Sequence, residues 1–566
     1  MKNITFLILF PFFMLTCSTV NDSGSKDDNF WKTNGPVIQN QEGRSVVIRG
    51  VGLGGWLMPE GYMLDMALPD GGSPTSIKNA IIDLIGEANY EEFNDLYIRN
   101  YVNEKDIEQI AEWGYDHIRL PFHYNVLYDI DQDTFKEDGF QIVDEFIQWC
   151  KNHDLYIILD MHAAPGAQNH LNISDSDGVA RLWVEPSTYQ PITVKIWEEI
   201  ARRYKDETQI IGYDLINEPV LPANYSKASF RQFYETLSNA VRTIDKNHIL
   251  FIEGDWFATD FTGLTPPWDG NMVYAFHKYW NETDAGTYQY LMDIRTDFQV
   301  PLWLGESGEN SNVWFNEVTR GMESNNIGWN WWTHKKYNTI SAPLSVPKLD
   351  QYEVILEYFK GNGPRPSAQE AYDGFMQLAR NLHIDSTIVK PDVVAALFSP
   401  DFSSTNVPYT DLEIPGTIEA EYYDIGSNSV SYFDTQVKRV SDNTTGNNGW
   451  TFRNDGVDIQ VTEDTEGNGY NVGWIGTSEW MEYTVDVSPG TYTISARVAT
   501  PSTTASINIS LDGATLISNG QLPRTGSYQN WQTVDLGSVT INEGGKRMLR
   551  VSARNGGYNL NFIEFK

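Results

Sequence analysis

Two cysteines among 566 residues, Cys17 and Cys150, exclude a disulfide-stapled scaffold. Basic side chains are scarce: 40 Lys plus Arg stand against 76 Asp plus Glu, a formal charge of −36. Such a surface repels nucleic acid and anionic polymers, so a neutral ligand is expected. The chain lacks His-Glu-x-x-His, Cys-x-x-Cys and Walker-type glycine motifs. Gly50-Val51-Gly52-Leu53-Gly54-Gly55 approaches dinucleotide-loop spacing, but Pro59 and the turn-rich stretch after it argue against the helix such a loop needs. What is abundant is aromatic: 18 Trp and 30 Tyr. Most of these rings belong in cores, yet flat rings are also what the faces of neutral sugars stack on.

The apolar stretch from Ile4 to Leu15 is too short to span a bilayer and reads as an export signal over residues 1–16. Cys17 stands where a bacterial lipoprotein signal places its acylated residue, and residues 17–30 resemble a lipoprotein tether. The expectation is a secreted chain held at the cell surface of a Gram-negative bacterium by acyl chains on Cys17, with no other membrane contact, acting as a monomer.

From Val46 to His334 short apolar runs alternate with amphipathic stretches, the pattern of strands and helices in a parallel sheet. Eight runs are counted: Val46 to Gly55, His117 to Phe122, Tyr156 to His162, Ile210 to Glu218, His248 to Gly254, Met272 to Tyr279, Leu302 to Gly308 and Ile327 to His334. Eight βα units predict a closed (β/α)₈ TIM barrel over residues 31–398. Leu349 to Phe359 and Ser367 to Leu382 read as closing helices, and residues 399–415 as a linker. Residues 416–566 alternate polar and apolar positions between Gly-rich turns, which predicts an all-β jelly-roll sandwich.

The strand ends are chemical rather than apolar: Arg119, Asp160-Met161-His162, Asn217-Glu218, Glu253, His277-Lys278-Tyr279, Glu306 and Trp331-Trp332. Glu218 and Glu306 supply the two carboxyl groups that retaining glycoside cleavage requires, about 5–5.5 Å apart. In that chemistry one starts protonated, gives its proton and then activates water, while the other attacks as an anion. Arg119 and Tyr279 are expected to hold Glu306 ionised, Asn217 to hydrogen-bond the sugar 2-hydroxyl, His277 to orient a carboxylate and His162 to line the sugar site. Alternation puts Asn330 and Trp332 on one face, with Trp332 as the sugar platform. Glu253 ends a strand without an assigned contact to substrate. No cofactor is expected for catalysis.

From Arg49-Gly50-Val51-Gly52-Leu53-Gly54-Gly55-Trp56 to Trp331-Trp332 the chain resembles glycoside hydrolase family 5, retaining enzymes with the acid/base on the fourth strand and the nucleophile on the seventh. The resemblance implies Glu218 as acid/base and Glu306 as nucleophile, with a neutral polysaccharide, a β-1,3- or β-1,4-glucan, as substrate. The stretches Arg49 to Trp56 and Ala163-Ala164-Pro165-Gly166-Ala167-Gln168-Asn169 are similar to β-1,3-glucanase-like members. A glycan-binding protein without turnover, or a transglycosylase using the same pair, are the alternative readings.

Ile418-Glu419-Ala420-Glu421-Tyr422, Val472-Gly473-Trp474-Ile475, Trp480-Met481-Glu482-Tyr483 and Tyr492 to Ala499 resemble a family 6 carbohydrate-binding module. That resemblance implies a sugar held by Trp474 and Trp531 with Asn561, Tyr528 standing at a further aromatic position and Asn559 being the alternative to Asn561. It also implies a structural calcium on Glu419 and Glu421, while Trp480 and Tyr483 are assigned to the core.

Overall fold

The computed structural model describes residues 29–438 and 448–566. Cys17, the signal segment and nearly all of the tether lie outside them. Eight parallel strands close a barrel: β1 (Arg49–Gly52), β2 (His117–His123), β3 (Tyr156–Ala163), β4 (Ile210–Asp214), β5 (Ile249–Glu253), β6 (Met272–Lys278), β7 (Leu302–Gly308) and β8 (Gly328–Trp332), the last pairing with β1. Among the described residues no helix is long and apolar enough to cross a membrane.

Strand alternation sorts the side chains. On β3, Ile157, Leu159 and Met161 pack outward into the core shared with the helices. Ile158 faces the barrel interior with Ile211, Ile249, Phe251, Val273, Ala275 and Trp303. Two and four residues further along β3, Asp160 and His162 occupy the same inward face at the C-terminal end. The barrel is thus apolar at its base and charged at its top. Outside it, the helix Lys227–Ile244 is capped by Ser226, and the closing helix Ala368–Asn381 begins with a Ser367–Glu370 capping box.

Two sheets form the C-terminal sandwich. One orders the strands Leu412–Ile414, Trp480–Val487, Gly545–Asn555, Ser506–Leu511 and Ala514–Gln521; the other orders Ile459–Val461, Tyr470–Ile475, Tyr558–Phe565, Gly490–Ala499 and Gln532–Ile541. The segment expected as a linker contributes Leu412–Ile414 to the first sheet, and Phe402 within it is buried against the barrel core.

Candidate active site

Parity along β7 needs a bulge to bring Glu306 inside. Trp303 faces inward, so strict alternation would turn Gly305, not Glu306, toward the axis. The pairing shifts register between Phe276 and His277 on β6 and between Leu304 and Ser307 against β8. The inserted residue re-aims the Glu306 carboxylate onto Arg119. Its Oε1 lies 2.5 Å from Arg119 Nη1, and its Oε2 accepts a hydrogen bond from the Tyr279 hydroxyl at 3.1 Å.

Glu218 is reached differently. Strand β4 ends at Asp214, and Glu218 sits in the turn beyond it with φ 44°, in the left-handed region. Its backbone N–H donates to Glu253 Oε2 at 2.6 Å, which fixes the turn. Glu218 Oε1 and His277 Nδ1 are 2.7 Å apart. An oxygen of Glu218, an oxygen of Glu306 and a ring nitrogen of His277 all lie within 4.8 Å of one another.

Arg119 organises what lies beneath. Fully buried, it contacts Asp160 at 3.1 Å, Asp214 at 2.9 Å and Glu253 at 3.0 Å besides Glu306, and donates to Asn217 Oδ1 at 2.9 Å. One guanidinium cannot neutralise four buried carboxylates. Burial therefore raises Asp160 to about 8 and Asp214 well above the ordinary carboxylate range. Glu253, although buried, is lowered by His277 and Arg119, so the anion that holds the Glu218 turn stays ionised. Burial also raises Glu306, against the opposing pull of His277 and Arg119.

The two histidines diverge. Burial alone would lower His277, but the carboxylates of Glu253 and Glu306 and the bond to Glu218 outweigh it and hold the imidazole well above its usual 6.5. Burial pushes His162 down to about 4. His162 Nδ1 is 2.7 Å from Asp160 Oδ2, and its ring lies parallel to Trp332 at a centroid distance of 5.1 Å. Glu218, His277 and Glu306 also have the spacing of a three-ligand metal site.

Arg119, His162, Asn217, Glu218, His277, Tyr279, Glu306 and Trp332 are thus brought to one end of the barrel. Trp332 is only 3% exposed, its indole N–H donating to the Tyr62 hydroxyl at 2.6 Å. Open aromatic surfaces at this end include Tyr62, Trp256 and Trp280. Sequence reasoning missed Glu60, a buried carboxyl after β1 with Oε1 unpaired and 3.9 Å from His162 Nε2. Burial, then the charges of Glu306 and Glu218, raise it well above its ordinary value. The one available signal was an acid in the turn-rich stretch following the first strand.

Residues 80–338 match the cellulase family, glycosyl hydrolase family 5. That match spans most of the barrel, from before β2 to beyond β8. The chain is 33% identical over 255 residues to a beta-xylosidase of Phanerodontia chrysosporium, covering 44% of this chain and 52% of the relative. It is 34% identical over 193 residues to endoglucanase C of Acetivibrio thermocellus, covering 34% and 54%. It is also 25% identical over 215 residues to a probable glucan 1,3-beta-glucosidase A of Aspergillus fumigatus, covering 38% and 51%. The chain spans about half the length of these relatives.

Residues 453–565 match the carbohydrate binding module of family 35, which corrects the family 6 expectation. The segments that suggested family 6 are dominated by core alternation. Ile418, Val472, Ile475, Met481, Tyr483, Ile494, Ala496 and Val498 are all buried between the sheets, a pattern that any two-sheet sandwich imposes.

Within that module Trp474 is 49% exposed and Tyr528 is likewise open, whereas Trp531 is half-buried with its N–H on Gln529. Asn561 is fully buried and donates to Asp464 and to the Glu466 carbonyl, a loop-holding arrangement. Asn559 instead donates to the Tyr528 carbonyl at 2.8 Å, beside the exposed ring. Glu421 lies on a 3₁₀ turn, Ala420–Tyr422, following the strand that ends at Glu419, so strand alternation does not pair the two. Glu419 Oε2 and both Glu421 oxygens are nevertheless buried without a hydrogen bond of standard geometry, and burial raises Glu421 to about 7. Unpaired buried carboxylate oxygens fit a hard cation such as calcium.

Proposed function

We propose that the chain is a retaining β-glycosidase acting on a neutral polysaccharide, with a β-glucan as the preferred class. The observation that supports this best is the separation of Glu218 and Glu306. Oxygens within 4.8 Å suit direct attack on an anomeric carbon held between them and leave no room for the water that inversion needs at about 6.5–9.5 Å. Glu306, oriented by Arg119 and Tyr279, attacks the anomeric carbon; Glu218 protonates the departing oxygen. Deprotonated Glu218 then activates water, which releases the sugar with its configuration retained. Asn217, tied to Arg119, and Glu60, with a free oxygen at the sugar site, are placed for sugar hydroxyls.

The relatives, a beta-xylosidase, an endoglucanase and a probable glucan 1,3-beta-glucosidase, support a β-linked substrate, and the Arg49 to Trp56 stretch favours β-1,3 linkage. The module, through Trp474 and Tyr528, would hold the same or a neighbouring glycan, with Glu419 and Glu421 binding a structural calcium. Acylation of Cys17 would tether the enzyme to a membrane, which incorporation of labelled palmitate tests. Activity is tested by reducing-sugar release from β-1,3-glucan, β-1,4-glucan, xylan and mannan by the wild type, Glu218→Ala and Glu306→Ala. Equal, near-zero rates for all three proteins on every polymer would leave a glycan-binding protein instead.

A further inference from the structure

The sandwich meets the barrel at the loop that follows the nucleophile strand. Strand β7 ends at Gly308, and four residues later the helix Asn312–Ser324 begins, with Ser311 as its N-cap. Its capping hydroxyl, which accepts from Trp314 N–H, also donates to the Val437 carbonyl of the module. Asn312 N–H donates to the Asn454 carbonyl at 2.8 Å, and its amide nitrogen donates to both Asp392 at 2.8 Å and Asp455 at 2.9 Å. Asn454 in return donates to the Asn310 carbonyl at 2.7 Å and to Asn312 Oδ1 at 3.0 Å. Asn310, Ser311, Asn312, Asp392, Asn454 and Asp455 are all buried. A polar network so enclosed holds its members in one arrangement, because each lost partner leaves a buried group unsatisfied.

One residue before Asn310 the chain returns to the active-site rim. Glu309, itself at φ 53°, accepts the Trp280 indole N–H on its carbonyl at 3.0 Å. Its carboxylate binds Lys336 Nζ at 2.5 Å, and that ammonium sits 5.4 Å from the centroid of the Tyr62 ring. Tyr62 in turn accepts from Trp332. Trp280 and Tyr62 are 50% and 45% exposed, so Glu309 sets the positions of two open rings within three residues of Glu306.

We propose that the C-terminal module is a positioning element for this rim: through Asn310 and Asn312 it fixes Glu309, and through Glu309 the rings of Trp280 and Tyr62 on which a bound glycan chain rests. The last clause depends on the glycosidase reading; the mechanical coupling does not. A module bound only by a mobile tether would deliver the enzyme to its polymer and leave short soluble substrates unaffected. A module that holds the rim acts on both.

The test uses the full chain. Hydrogen exchange of wild type and Asn454→Ala reads the coupling irrespective of turnover: amides of residues 309–316 should exchange about tenfold faster or more in the variant, with the barrel strands unchanged. On a soluble β-glucan oligosaccharide, Asn454→Ala should raise KM about fivefold while kcat stays within about twofold. Glu309→Gln, which sits at the rim and leaves the interface network intact, should raise KM similarly, and the double variant should add little to either. Unchanged exchange in the 309–316 segment overturns the positioning role even if the enzyme is active. Multiplicative KM effects of the two substitutions overturn the route through Glu309. Faster exchange in Asn454→Ala, together with a wild type that cleaves none of the four polymers, would keep the coupling and sink the glycosidase reading alone.

Discussion

His277 Nδ1 and Glu218 Oε1 lie 2.7 Å apart, and the same nitrogen is 3.6 Å from Glu306 Oε2. A single imidazole therefore touches both members of the carboxyl pair. Its surroundings, the carboxylates of Glu253 and Glu306 first among them, hold it protonated above its usual range, so His277 sets a positive charge against both carboxyl groups. His277→Ala is expected to lower kcat by about a hundredfold, within the range for a lost proton-transfer partner, and to shift the alkaline limb of the pH–rate profile. Steady-state rates across pH check both; an alkaline limb identical to the wild type would assign that titration elsewhere.

The same shift has a stability consequence. A histidine whose folded value lies above 6.5 contributes stability that is fully present below pH 6.5 and is lost as pH rises through the folded value. Asp160, pushed up to about 8, acts in the same direction, since its protonated form is favoured by folding. Urea unfolding of the wild type should therefore show stability falling from pH 6.5 into the alkaline range, and the fall should be shallower in His277→Ala. Parallel curves for the two proteins would refute the assignment.

Glu218 and Glu306 are unequal, and azide separates their roles. In Glu306→Ala the nucleophile is absent, so added azide should attack the substrate and give the glycosyl azide of inverted configuration. In Glu218→Ala the glycosyl-enzyme still forms from an activated aryl glycoside, and azide should give the retained product. Unassisted rates should fall by about 10⁴-fold or more for Glu306→Ala and less for Glu218→Ala with a good leaving group. Identical azide products from both variants would reverse or abolish the assignment.

Arg119 offers a stability test of the buried cluster. Removing its charge strands Asp160, Asp214, Glu253 and Glu306 without their shared cation. Arg119→Met should cost about 3–5 kcal/mol, the range for breaking a buried ion pair by deleting one partner. Arg119→Lys should recover part of that stability but little activity, because an ammonium cannot span four carboxylates and Asn217 at once. Chemical denaturation gives the first number, and a loss below about 1 kcal/mol would mean that the carboxylates already carry their own protons.

The barrel and its charged rim were legible because period-two alternation is a local signal. Ile158, Asp160 and His162 declare one face, and Ile157, Leu159 and Met161 the other. Meetings between distant strands were not legible. Arg119 and Glu306 are 187 residues apart, and their contact depends on a one-residue bulge that no composition pattern marks. Glu253 gained its place only when the Glu218 turn was seen to rest on it. Glu60 stands in a turn without periodicity, and Asn312 and Asn454 read as ordinary polar residues until two domains enclosed them. The module's family was obscured for the opposite reason, since core alternation is shared by sandwiches of several families.

The calcium site proposed at Glu419 and Glu421 makes a prediction whose sign depends on pH. Glu421, raised by burial from 4.5 to about 7, favours the folded state when protonated; that contribution is complete below pH 4.5 and is lost as pH rises through about 7. A bound cation needs the ionised carboxylates, so calcium competes with the proton and binds more tightly as pH rises. Thermal unfolding of the full chain should show a calcium-dependent rise in the melting temperature of the sandwich that is larger at pH 8 than at pH 5. EDTA should reverse it, and Glu421→Gln should remove it while restoring stability at alkaline pH in the absence of metal. A melting temperature indifferent to calcium at both pH values would leave the two carboxylates as buried acids kept neutral by their own protons.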